Sequence, residues 1–382
     1  MTFLLKHLKT KHLCKNMHYH LVLTTKCNSK CRYCYGKSMK EENDLCEKFC
    51  FDFSSYSREI DVDKLKKFIE KDKEAVIEFY GGEPLLKINK IKEIINKIDV
   101  PFRMQTNGKL LDKIPIEYLK KIGKILVSID GNKEKTDCNR GKGSYDKVIS
   151  NIKKIRKDGY KGEIAARMCI SGFSDIYEQV KHLIDLGLFD SIHWQLDAGF
   201  YKCDYDFDKF SKFVDEYNKE ITKLIDYWVD EMKKGKVLML YPFVGIMDSL
   251  LKGEKSGLRC GAGYAGYAIG CDGKIYACPI TTSIKDFEAG TLENNPKELK
   301  KFGFCNRCLK CKIKDLCCGR CLYWNKTNLW PKEENELICK TIRHLISELR
   351  LRFDEIKKLI DRGEIKQSDF NYEKFFGPEI IP

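Results

Sequence analysis

Nineteen cysteines fall unevenly along the 382 residues: six before residue 51, three from 51 to 259, nine from 260 to 321, and a last one at 339. This distribution constrains the fold more than any average over composition. A disulfide framework would be expected to staple a small domain throughout, yet the long middle of the chain is nearly free of cysteine. No apolar run reaches the roughly 18 residues that cross a bilayer, and the apolar start Met1–Leu13 is broken by Lys6, Lys9 and Lys11. The expected compartment is the reducing cytoplasm, where clustered cysteines more often serve as metal ligands or catalysts. Two separate metal regions joined by a cysteine-poor body are therefore predicted.

That body alternates short apolar runs with amphipathic ones. Strand-like segments lie at 19–25, 75–80, 101–106, 125–130, 163–170 and 191–197. Helical patterns fall between them at 62–71, 90–98, 116–122, 145–157 and 176–186, with Asp61 and Asp175 as N-caps and Gly159 and Gly187 at helix ends. Repeated strand–helix units predict a parallel sheet flanked by helices, either a partial barrel or an open doubly wound sheet. One long helix is predicted over 206–234, with Phe207, Phe210, Val214, Tyr217, Ile221, Leu224, Trp228 and Met232 as a core-facing stripe. Residues 236–259 read as a bridge, 334–361 as helix, and the last nineteen as a surface tail.

Cys27, Cys31 and Cys34 follow the first strand with spacing C-x3-C-x2-C. Three thiolates within one short loop hold three corners of a cubane cluster and leave the fourth iron open to chemistry, whereas structural zinc normally takes four protein ligands. In this loop, with the aromatic Tyr33 before its last cysteine, the chain resembles the radical S-adenosylmethionine enzymes. The resemblance implies a partial (β/α)6 TIM-like barrel and a 4Fe-4S cluster on Cys27, Cys31 and Cys34. It also implies S-adenosyl-L-methionine on the open iron, cleaved on reduction to a 5′-deoxyadenosyl radical, with an electron donor such as ferredoxin or flavodoxin. Gly81, Gly82 and Glu83, at the end of the second predicted strand, are similar to the family's segment that binds the cofactor's amino group. Ser128 resembles its cofactor-contacting serine, and Arg140 and Arg167 are candidates for the cofactor's carboxylate.

The second cysteine field has the order Cys260-x12-Gly273-x4-Cys278, then Cys308-x2-Cys311-x5-Cys317-x3-Cys321, then Cys339. This order resembles the SPASM domain, an auxiliary-cluster extension of radical enzymes that modify peptides and proteins. The resemblance implies two auxiliary 4Fe-4S clusters, one on Cys308, Cys311, Cys317 and Cys339, the other on Cys260, Cys278 and Cys321. Cys271, Cys305 and Cys318 are local candidates for the missing fourth ligand, the alternative being an iron open to substrate. Cys14, Cys46, Cys50, Cys138, Cys169 and Cys203 read as free thiols, Cys169 in the core. The expected division is an extension 1–18, a radical core 19–198, a helical bridge 199–259, an auxiliary-cluster domain 260–340, and a C-terminal helix and tail 341–382.

The function so implied is radical modification of a peptide or protein, by oxidation or by a thioether or carbon–carbon crosslink. Anaerobic sulfatase maturases, which carry such a domain, place an aspartate directly after an auxiliary cysteine. Here Cys278 is followed by Pro279, so Tyr276, Asp272 or Asp197 would have to replace that base. A different class, a zinc or iron–sulfur protein that binds nucleic acid, is suggested by the formal charge of +14 and the paired cysteines. Against it, the lysines of 61–74 are interleaved with acids on a solvated helical face. Thiolate-held clusters also carry negative charge that offsets part of the excess.

Overall fold

The computed structural model describes residues 17–38, 49–53, 58–197, 206–303, 306–328, 330–375 and 382. Six parallel strands follow one another in the order of the chain: β1 (Met17–Val22), β2 (Ala75–Tyr80), β3 (Phe102–Thr106), β4 (Ile122–Ser128), β5 (Glu163–Ile170) and β6 (Ser191–Leu196). A doubly wound sheet reverses its order at a switch point. This one does not, and the fold is the α/β partial (β/α)6 barrel.

Helices α1 (Val62–Ile69), α2 (Ile88–Lys97), α3 (Lys133–Arg140), α4 (Ser144–Lys157) and α5 (Ile176–Asp185) cover the outside. Asp61 caps α1 as expected, accepting from the amides of Asp63 and Lys64. Asp175 stands at the N-cap position of α5 without capping it, because its carboxylate accepts from Gln179 Nε2 at 2.8 Å instead. Helix α3 lies where no helical pattern is predicted; its Thr136, Asn139 and Arg140 are buried polar residues, so no apolar stripe announces it.

Alternation along the strands separates two interiors. Tyr19, Leu21, Ile77, Phe79, Met104, Ile125 and Val127 join the apolar layer beneath the helices. The other face fills the barrel with charge: His20, Glu78, Arg103, Lys124 and Glu163 stand side by side in register. Buried charges require partners. His20 Nδ1 lies 2.9 Å from Glu78, and Lys124 Nζ lies 2.8 Å from Glu163. Glu373 completes the row, accepting from Arg103 Nε and Nη2 at 3.0 Å each and lying 3.2 Å from Lys124. The surface tail of the sequence reading is thus corrected up to Phe375: Phe370 is fully buried, and two barrel cations draw Glu373 inward.

Past α6 (Phe207–Lys233), the bridge read at 236–259 contains a helix, α7 (Tyr241–Lys252), with Pro242 in its first turn. The core stripe of α6 holds from Val214 to Met232, while Phe207 is exposed. The expected C-terminal helix is two, α9 (Lys332–Leu351) and α10 (Phe353–Asp361), preceded by the short α8 (Leu322–Thr327). The break falls at Arg352, whose guanidinium binds Glu348 and Asp226. Strand β8 (Lys274–Tyr276) pairs antiparallel with both β7 (Gly266–Ile269) and β9 (Glu288–Thr291), and β7 pairs parallel with β1. The cysteine-rich region therefore extends the barrel sheet into one of nine strands. No helix among the described residues is long and apolar enough to cross a membrane.

Candidate active site at the C-terminal end of the barrel

The loop carrying Cys27, Cys31 and Cys34 leaves β1 along a stem held by β2. The amide of Gly82 donates to Thr24 O at 2.7 Å, and that of Glu83 donates to Lys26 O at 3.0 Å. Only glycine permits this approach: a Cβ on Gly81 would stand 2.3 Å from Thr24 O, and one on Gly82 the same distance from Lys26 O. Glu83 is wholly buried behind the stem. Its carboxylate accepts from Leu85 N, Asn107 N and Thr106 Oγ1 at 3.0, 2.8 and 2.7 Å. Burial raises its carboxyl above the ordinary range, against these three bonds. Glu83 thus ties the ends of β2 and β3 together, and the glycines, not its carboxylate, face the cavity.

The cysteine loop is braced from the other side by Asp130. This buried carboxylate accepts from Tyr33 Oη at 2.6 Å, from Cys169 N at 2.9 Å, and from Arg140 Nε and Nη2 at 3.0 and 2.9 Å. The Arg140 guanidinium also lies over the Tyr33 ring at 5.3 Å. Arg167 differs. It bonds His193 Nδ1 at 2.6 Å and Gln195 Oε1 at 2.8 Å, and burial lowers its pKa.

Burial raises the thiol pKa of Cys27 and of Cys31, while Ser29 N and Asn107 Nδ2 at Cys27 Sγ and the Arg140 charge near Cys31 act the other way. Three thiols of one loop, with two hydrogen-bond donors aimed at the sulfur of Cys27, form a donor set that fits an iron–sulfur cluster with one iron left without a protein ligand. Among the described residues no three His, Cys, Asp or Glu side chains converge as on a single small cation.

One cavity of about 1260 Å³ is lined by Cys27, Cys31 and Cys34, and by Cys260, Cys278 and Cys321 of the second field. Gly81, Gly82, Ser128, Arg140 and Arg167 also line it. Burial pushes the Cys278 thiol up to about 12, and the neighbouring Cys321 adds to the rise. A second group lies apart: Cys317, pushed by burial to about 12, neighbours Cys339 and Cys308, and Cys339 neighbours Cys311. Of the candidates for a missing ligand, Cys271 Sγ donates to Val22 O at 3.1 Å, and Cys318 Sγ to Ser256 O at 2.6 Å. Both are nearly or fully buried and neither lines the cavity.

Cys14, Cys46, Cys203 and Cys305 lie outside the described residues. Cys50 and Cys138 are exposed thiols. Cys169 is corrected from core to cavity wall, since its position in β5 shares the inward face of Arg167. Of the three replacement bases only Asp197 reaches the cavity, where it accepts from Ser171 Oγ at 2.6 Å; Tyr276 is buried elsewhere. Tyr35, Tyr80, Gln105 and Gln195 were not singled out from the sequence. Strand alternation was the available signal, since Gln105 and Gln195 sit two residues beyond inward-facing Arg103 and His193.

Residues 21–186 match the Radical SAM superfamily. The radical SAM cyclopropyl synthase TigE of Paramaledivibacter caminithermalis is 26% identical over 79% of this chain and 67% of its own. The cysteine-type anaerobic sulfatase-maturating enzyme of Clostridium perfringens is 25% identical over 77% of this chain and 85% of its own. The solved structure of anSMEcpe with bound AdoMet and the Kp18Cys peptide superposes with a TM-score of 0.64 at 18% identity, covering 88% of this chain and 99% of that one. That likeness bears on the fold. With a cysteine triad at the C-terminal end of such a barrel and the family match around it, residues 21–186 form a radical SAM domain.

Proposed function

We propose that this chain is an oxidoreductase that modifies a peptide or protein by radical chemistry, assisted by auxiliary iron–sulfur clusters in its cysteine-rich region. The carrying observation is the single cavity onto which Cys27, Cys31, Cys34 and Cys260, Cys278, Cys321 all open. A substrate held there lies within reach of both sets. Cluster and S-adenosyl-L-methionine, bound at the first triad, would supply a 5′-deoxyadenosyl radical on reduction by a ferredoxin- or flavodoxin-like donor.

The chain's own residues have separable tasks in this reading. Arg167, whose hydrogen bonds go to His193 and Gln195, is assigned to the cofactor's carboxylate, where a charge-assisted pair would relieve its burial. Gly81 and Gly82 give the cofactor's amino-acid end room against the wall, and Ser128 lines the adjacent surface. Arg140 and Glu83 act as positioning residues, holding the loop and the strand ends. Asp197 is assigned as the base that takes the substrate proton. Cys308, Cys311, Cys317 and Cys339 are assigned to one auxiliary cluster. Cys260, Cys278 and Cys321 are assigned to three positions of the other. The name of one relative, a sulfatase-maturating enzyme, supports a peptide or protein substrate.

The test is anaerobic incubation of reconstituted enzyme with S-adenosyl-L-methionine, dithionite and the peptide encoded by a short cysteine-containing reading frame beside the gene. A crosslinking enzyme yields a peptide lighter by two hydrogens together with peptide-stimulated 5′-deoxyadenosine. Conversion of a cysteine to an aldehyde replaces crosslinking by the maturase reaction. Cofactor cleavage that no peptide stimulates or is altered by would contradict the proposal.

A further inference from the structure

The mouth of the cavity carries charge and apolar surface that cofactor chemistry does not use. Two of its lining cations have acidic partners: Lys87 pairs with Glu59, and Arg140 with Asp130. Lys26, Lys30 and Arg58 line the same cavity, are exposed, and form no ion pair with any described carboxylate. Asp197 is the remaining described carboxylate on the lining. Unpaired cations at a low-dielectric cleft focus a positive potential outward and attract anionic partners.

An apolar element accompanies the charge. Phe53, 41% exposed, lines the mouth, and Leu86, 43% exposed, directly precedes the lining residue Lys87. They are two of the four large hydrophobic side chains exposed among the described residues. Phe53 stacks on Phe51 at 5.5 Å, and Phe51 bridges to Ile284 in the cysteine-rich region. Leu86 belongs to the turn after β2, on the barrel side. The mouth thus carries Phe53, tied through Phe51 to the cysteine-rich region, beside Lys26, Lys30 and Arg58, which pair with no described carboxylate, and Leu86 adjoins the lining residue Lys87.

We infer that this mouth docks the acidic flank of the substrate peptide, with Lys26, Lys30 and Arg58 meeting its carboxylates and Phe53 and Leu86 its apolar side chains; this rests on the peptide-modifying reading above. A peptide offers both chemistries at residue spacing. A nucleic acid also offers anions, and competition by an oligothymidylate distinguishes it from a peptide.

The experiment measures binding, not turnover. Two fluorescein-labelled peptides of equal length with a central cysteine, one flanked by Asp and Leu, the other by Lys and Leu, are titrated with holoenzyme and S-adenosyl-L-methionine by fluorescence anisotropy. The acidic peptide binds about tenfold tighter at low salt, the summed effect of a few exposed charge pairs. Its advantage shrinks as salt rises. Arg58→Glu lowers the acidic peptide's affinity several-fold, and Leu86→Ser weakens both peptides. Lys30→Glu supplies a second charge reversal should Arg58→Glu fail to take up iron. Equal affinity for the two peptides overturns the inference, as does displacement of the acidic peptide by an equally charged oligothymidylate at lower concentration than by unlabelled peptide. Peptide-independent cofactor cleavage would instead overturn the peptide-modifying reading, and the two failures are read from different assays.

Discussion

The two cysteine regions reach one cavity by opposite routes. Cys27, Cys31 and Cys34 sit in one short loop, and the fold's task is to aim it: β1 delivers the stem, Gly81 and Gly82 let it close against β2, and Asp130 holds Tyr33 and Arg140 behind it. Cys260, Cys278 and Cys321 come from separate segments gathered only when β7 joins β1 and α8 packs beside them. A ligand set confined to one loop survives local rearrangement, whereas one gathered from several segments exists only in the folded chain. The first region is therefore vulnerable at its hinge, and the second at its sheet junction.

The sharpest way to separate them is to remove one ligand from each. Cys27→Ala is expected to bring cleavage of S-adenosyl-L-methionine to 5′-deoxyadenosine under dithionite down to background; turnover that persists breaks the assignment of the first triad. Cys317→Ala is expected to cost about four irons per chain, the content of one cubane cluster, while Cys271→Ser and Cys318→Ser leave iron analysis unchanged because their thiols bond to Val22 and Ser256 carbonyls. Loss of iron in either serine variant would make that thiol a ligand.

Smaller effects probe the supports. Gly82→Ala forces a Cβ onto Lys26 O and is expected to destabilise the chain by about 2–4 kcal/mol, read as a fall in Tm, with loss of the cluster loop's order. At the barrel's other end, burial alone would raise the Glu373 carboxyl, but the Arg103 hydrogen bonds and the charges of Lys124 and Arg103 hold it below the ordinary value. Its contribution is therefore present above the unfolded carboxyl's pKa of about 4.3 and is lost as pH falls through the lower folded value. Glu373→Gln is expected to cost about 1–3 kcal/mol at neutral pH, a difference from wild type that narrows on acidification; a deficit that grows on acidification would contradict the pairing.

Legibility follows the same division. The six parallel strands and the first triad were readable because strand periodicity and C-x3-C-x2-C are local patterns. The choice of barrel over doubly wound sheet depended on strand order, which no local pattern carries. Helix α7 was not delimited within the bridge because all but its last turn is buried, leaving no amphipathic period, and the docking of Glu373 was not read because Arg103 lies 270 residues away in sequence. Glu83 matched its motif, yet its carboxylate serves Asn107, Thr106 and Leu85 behind the cavity wall. Cys169 read as core because an inward position near a strand's end looks the same in sequence whether it meets packing or a cavity.

The central claim is that two independent iron-binding regions share one cavity. Iron analysis of the anaerobically reconstituted Cys27→Ala/Cys31→Ala/Cys34→Ala variant beside the wild-type chain tests it most directly. The account predicts about twelve irons in the wild type and about eight in the variant, about four in the cluster on Cys308, Cys311, Cys317 and Cys339 and about four in the cluster held by Cys260, Cys278 and Cys321. A variant devoid of iron, or one that holds zinc in place of the missing clusters, would contradict it.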